Sequence, residues 1–167
     1  DKGARILGLD YPGGPEIDRI SKNGNLGTYS FTIPKVKSSL ADFSFSGLKT
    51  ALLYKVNELS KLLLKSEISN IAACYQETII DTLFEKLNIV LNQNKTNDVL
   101  IVGGVSANTR FREKSQQFGK INNVNIIFPD FKYCTDNAAM IAMAGYIKYK
   151  KGIISNLDIT PYSSIKN

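Results

Sequence analysis

At 167 residues, 43% of them apolar and 22% charged, the chain is about one domain long and can bury a core. Twenty-one Lys and Arg against fifteen Asp and Glu leave a net charge of +6, which suits RNA through the phosphate term and serves equally as a plain solubility device. Histidine is absent, which excludes imidazole bases, nucleophiles and metal ligands from these residues, and no apolar run reaches the roughly 18 residues that a membrane-spanning helix needs.

The two cysteines, Cys74 and Cys134, lie far apart without metal-type spacing and read as reduced thiols of a cytoplasmic protein. No signal peptide or initiator Met opens the chain, and its start at Asp1–Lys2–Gly3 leads us to expect a fragment or a processed product.

In chain order, residues 1–9 are expected to be helical on the apolar positions Ala4, Ile6, Leu7 and Leu9. Tyr11–Pro12–Gly13–Gly14–Pro15 then breaks the chain, and a second short helix is expected over Glu16–Lys22. Tyr29–Ile33 alternates and predicts a strand ending at Pro34. Asp42–Gly47 predicts a second extended piece, and Leu48–Leu64 an amphipathic helix. Ser66 is expected to cap the next helix, whose apolar positions run at helical spacing from Ile68 to Leu91. After a polar loop at 92–97 come strand 98–102, helix 109–118, strand 124–128 and helix 135–150, an alternation that predicts a parallel βαβα unit. This divides the chain into a helical region with short strands over 1–97, a nucleotide-binding core over 98–150, and an irregular surface tail, 151–167. Two parallel strands make an incomplete sheet, so upstream or partner strands are expected to complete it, and exposed edges would favour dimerisation or aggregation without them.

Four segments can carry chemistry, and each has a plainer structural reading. The most informative is Asp98–Asn108, where an apolar strand runs into Gly103–Gly104 and a polar turn that opens a helix at about Thr109. Such a junction lets a phosphate or sugar approach the backbone, and Asn108 is expected to point at that ligand. The plain alternative is a tight strand-to-helix connection. In Tyr11–Asp18, the Gly14 backbone and the Asp18 carboxylate can meet a ribose hydroxyl, or the segment is a rigid turn that starts a helix. In Asp42–Thr50, Phe43 and Phe45 face one side and Ser44 and Ser46 the other; Ser46 and Lys49 can meet a phosphate, or Ser46 caps a helix. In Tyr133–Ala142, Asp136 can serve a metal or a phosphate, or Thr135 or Asp136 is an ordinary helix cap, and the run of Ala138, Ala139, Ala142, Ala144 and Gly145 suits close helix packing.

Together and in this order, Leu7–Pro15, Asp42–Thr50, Gly103–Asn108 and Cys134–Ala142, with Asp1–Lys2, closely resemble the tRNA adenosine threonylcarbamoyltransferase family, over essentially the whole chain and in the family's C-terminal half. The resemblance implies an α/β fold: the C-terminal lobe of an actin-like, ribonuclease-H-like ATPase with a helical insertion, incomplete without upstream strands. It implies transfer of threonylcarbamoyl from its adenylate to the N6 of the adenosine 3′ of the anticodon, in tRNAs reading codons that begin with A. Asp1, Gly14, Asp18, Gly103, Gly104 and Asn108 would contact the nucleotide, and Asp136 would be the one ligand this half gives to a divalent metal, iron or zinc. The remaining ligands, a histidine pair in H-x-x-x-H spacing, would come from the missing N-terminal half. The implied ligands and partners are ATP or threonylcarbamoyl-adenylate, tRNA, an inactive paralogue and a small ATPase, with no membrane. The chain alone is expected to be inactive, since one carboxylate cannot hold such a metal. Two other readings remain: the nucleotide-binding lobe of a related actin-like ATPase or sugar kinase, and a non-catalytic remnant or scaffold.

Overall fold

The computed structural model describes residues 1–33, 42–158 and 160. Helices α1 (Lys2–Ile6), α2 (Gly13–Ser21), α3 (Ser46–Glu58) and α4 (Lys61–Gln93) precede strand β1 (Asp98–Leu100), helix α5 (Thr109–Asn122), strand β2 (Asn125–Ile127) and helix α6 (Ala138–Lys150). Single 3-10 turns stand at Gly104–Ala107 and Phe131–Tyr133. The two strands pair in parallel, with Asp98 opposite Asn125 and Leu100 opposite Ile127, as the alternating pattern requires.

Helix α4 organises the molecule. Its 33 residues span roughly 50 Å and carry two apolar clusters in succession. Ile71, Ala72 and Tyr75 pack with Ala4, Leu7, Ile17, Ile20, Leu48 and Leu52 from α1, its C-terminal turn, α2 and α3. Further along, Ile80 and Phe84 pack with Phe111, and Phe118 and Phe128 close over them. Leu48 and Leu52 lie one helical turn apart and are wholly buried, each contributing about 1.5–3 kcal/mol of apolar transfer.

Several expectations are corrected. The first helix stops at Ile6, because Gly8 turns the chain at φ 73°. No strand forms at Tyr29–Ile33: among the described residues no strand pairs with it, and Tyr29, Phe31 and Ile33 instead pack on the first cluster, Phe31 edge-on to Tyr75. The expected end of that strand, Pro34, lies outside the described residues. The helix expected over 48–64 is two helices. Leu59 is extended, and Ser60, not Ser66, caps α4 by accepting from Leu63 N at 3.2 Å; Ser66 donates to Leu63 O inside the helix. Ser46 lies inside α3 rather than capping it. Asn137, not Thr135 or Asp136, caps α6, accepting from Met140 N at 3.0 Å. The tail expected over 151–167 is exposed through 158, and 159 and 161–167 lie outside the described residues.

Helix α6 departs furthest from the expectation of close packing. All thirteen of its residues are exposed, Met140, Ile141, Met143, Tyr146 and Ile147 among them, and a Cβ on Gly145 would meet nothing within 4 Å. Leu100 at the end of β1 and Val102 just after it are also exposed. An apolar face of this extent marks a surface made to be covered.

Candidate nucleotide site at the start of helix α5

Gly103 follows β1 with φ 87° and ψ 176°, a conformation that side chains with a Cβ rarely adopt, so the chain reverses there. The 3-10 turn then delivers Asn108, whose Oδ1 accepts from Phe111 N at 2.8 Å and caps α5. The first residues of this helix are gripped one after another. Asn108 Nδ2 donates to Gln76 Oε1 at 2.7 Å. Thr109 donates its N–H and hydroxyl to Asp18 Oδ2, at 3.1 and 2.8 Å. Arg110 forms a fork on Glu77, Nε to Oε2 and Nη2 to Oε1, both at 2.9 Å. Lys114 adds a bond to Glu77 Oε1 at 2.7 Å and pairs with Asp81. Burial alone would push the Glu77 carboxyl up, but the bonds from Arg110 and Lys114 outweigh it and hold the group below its ordinary range.

Of the residues expected at the site, Asp18 and Asn108 meet through Thr109. Asp1 joins them through α2, where its Oδ1 accepts from Gly13 N at 2.8 Å, beside Gly14. Asp18 Oδ1 is buried and accepts no hydrogen bond, a costly state that a hydroxyl donor would relieve. Gly14 and Gly104 are exposed, neither takes a positive φ, and a Cβ on either would meet nothing within 4 Å. The fold therefore does not require glycine at these two positions.

Asp136 stands apart. It is exposed, in the loop after Cys134, and among the described residues no three His, Cys, Asp or Glu side chains come together. The described residues do not by themselves amount to a metal site. The Asp42–Thr50 segment stacks Phe43 on Phe45 at 5.8 Å and joins the Ser44 and Ser46 hydroxyls at 3.3 Å, while Lys49 is exposed. This matches the expected two-sided arrangement, and among the described residues no hydrogen bond or ion pair links Phe43–Thr50 to α5.

Sequence reasoning missed Gln76, Glu77, Thr109, Arg110 and Lys114. One signal was present: Gln76 stands a helical turn after Ala72, on the apolar face of α4, where a buried amide must have a partner.

A glycine turn feeding a braced helix start beside a parallel strand defines the class, an α/β protein with a glycine-turned strand-to-helix junction. Residues 1–143 match the profile of the tRNA N6-adenosine threonylcarbamoyltransferase family. The protein of that name from Thermosipho africanus is 45% identical over 166 residues, covering 99% of this chain and 50% of the relative. Those from Kosmotoga olearia and Dictyoglomus turgidum are each 44% identical, covering 99% and 94% of this chain and 49% and 46% of the relative. The chain belongs to this family, and it spans about half the length of the curated relatives it matches.

Proposed function

We propose that this chain supplies the C-terminal share of a threonylcarbamoyl-transfer site, holding the nucleotide of threonylcarbamoyl-adenylate while the threonylcarbamoyl group passes to the N6 of the adenosine 3′ of the anticodon and AMP departs. The carrying observation is the start of α5, where Gln76, Asp18 and Glu77 brace three consecutive residues behind an open glycine turn. The reaction is acyl transfer from a mixed anhydride to an amine, and the departing adenylate must be held in place. Amides at the Gly103–Gly104 turn and the Asn108 carboxamide do this, and the Asp1 and Asp18 carboxylates accept from ribose hydroxyls.

Within this reading the chain is the C-terminal lobe of a two-lobed, actin-like fold, and the other half covers α6. Asp136 is this chain's single ligand toward iron or zinc, with the imidazoles supplied by that half. tRNA is the acceptor, and an inactive paralogue and a small ATPase are the accessory subunits. Alone, the chain transfers nothing; threonylcarbamoylated tRNA formed by the pure 167-residue chain would refute that part.

Asn108→Asp tests the site. An aspartate keeps the cap on α5, and Gln76 can turn its amide to donate, so the helix start survives. What is lost is the amide donor, and a negative charge is placed against the nucleotide's phosphate. ADP affinity of the intact protein, by calorimetry, should fall at least about tenfold with the melting temperature little changed. Unchanged affinity would remove Asn108 from the site.

A further inference from the structure

Arg112 lies one turn into α5, between the glycine turn and the loop that leads to Asp136. Its Nε donates to Ser106 O at 2.6 Å, inside the turn. Its Nη2 donates to Pro129 O at 2.8 Å and to Cys134 Sγ at 3.4 Å, in the loop. The guanidinium also sits over two rings of that loop, 4.7 Å from the Phe128 centroid and 4.0 Å from that of Phe131. Ser106 and Cys134 are both buried, and the Cys134 thiol in turn donates to Asp130 O at 3.5 Å. One planar side chain therefore ties two backbone segments that are far apart in sequence.

We infer that Arg112 is a positioning residue that locks the ligand-facing turn at Gly103–Asn108 to the loop over 128–134, so that the turn holds one geometry. The function rests on the nucleotide reading given above; the lock itself rests on these contacts alone. A lysine keeps the charge but has no fork with which to reach Ser106 O and Pro129 O together, and no plane to lay on two rings. Charge alone would let Arg112→Lys behave as the parent, whereas a geometric lock makes it behave as Arg112→Ala.

The test uses the longest native form of the protein, as parent, Arg112→Lys and Arg112→Ala. Hydrogen exchange at the amides of 103–108 and alkylation of Cys134 by iodoacetamide are followed without ligand. Both should accelerate together in both variants, by at least about tenfold, while exchange in the middle of α4 stays as in the parent. Acceleration of one segment without the other, or a lysine variant indistinguishable from the parent, overturns the lock. Acceleration in α4 as well means general unfolding; the lysine variant in stabilising osmolyte then decides, and the lock fails if the two segments recover independently.

ADP titration of the same proteins separates the lock from the nucleotide reading. A parent that binds ADP and variants that bind at least about tenfold more weakly support both. A parent that binds no ADP removes the nucleotide reading and leaves the lock to the exchange result. A parent and variants that bind ADP equally well overturn the positioning role.

Discussion

Replacing Glu77 by Gln keeps the side chain's shape and removes its charge from the centre of the α4–α5 contact. In the parent, this carboxylate accepts two bonds from Arg110 and one from Lys114, and its side chain is 17% exposed. Exposed ion pairs contribute little, up to about 1 kcal/mol, and hydrogen bonds to buried charges about 1.5–3 kcal/mol. Arg110 keeps Glu113 at 3.5 Å and Lys114 keeps Asp81, so neither cation is left alone. For this half-buried cluster we expect a loss of about 1.5 kcal/mol at pH 7. In a domain of this size that lowers the thermal midpoint by about 3–6 °C. Folding lowers the Glu77 pKa from its ordinary value of 4.5, so its contribution is present above that value and is lost as pH falls through the lower folded one. Thermal unfolding of parent and variant by circular dichroism, from pH 7 down to about 3, should show two curves that converge at the acid end. Equal midpoints at pH 7, or a gap undiminished at the lowest pH, would refute this account.

Gly24→Ala would drive a Cβ into the Ser69 carbonyl oxygen and to 2.7 Å from Ala73 Cβ, against the backbone of α4, which cannot yield as a flexible side chain can. Urea unfolding should show a loss of about 1–3 kcal/mol, and parent-like stability would mean that the approach is looser than it stands. Leu52→Ala opens a cavity in the first cluster, where Leu52 is wholly buried, and should cost about 2–5 kcal/mol by the same measurement, with ADP binding at the distant start of α5 retained wherever the protein is still folded. A loss below about 1 kcal/mol would mean that the site collapses around the smaller side chain.

Much of the local order was legible from sequence because it is set by neighbours along the chain. The apolar repeat from Ile68 to Leu91 predicted the body of α4, and the two glycines after an apolar strand predicted the turn and the start of α5 at Thr109. Both depend on periodicity and on backbone freedom, which act within a few residues. What failed were local readings that the folded chain overruled. Ser66 was expected as the cap because the helix was read unbroken to Leu64, and the break at Leu59 hands that role to Ser60. Tyr29–Ile33 alternates as a strand should, but a strand also needs a partner, and packing on Tyr75 took its place.

The site divides in the same way. The motifs, through the family they resemble, pointed to Asp1, Gly14, Asp18, Gly103, Gly104 and Asn108 as the residues a nucleotide would meet. That Asp18 reaches Thr109 across 91 positions, Asn108 reaches Gln76 across 32, and Arg112 bridges Ser106 to Cys134 was decided by tertiary structure alone. Hydrogen bonds are short-ranged and directional, so which donor meets which acceptor is settled only when α2, α4 and α5 have packed, and packing is driven by apolar burial that does not depend on those polar pairs.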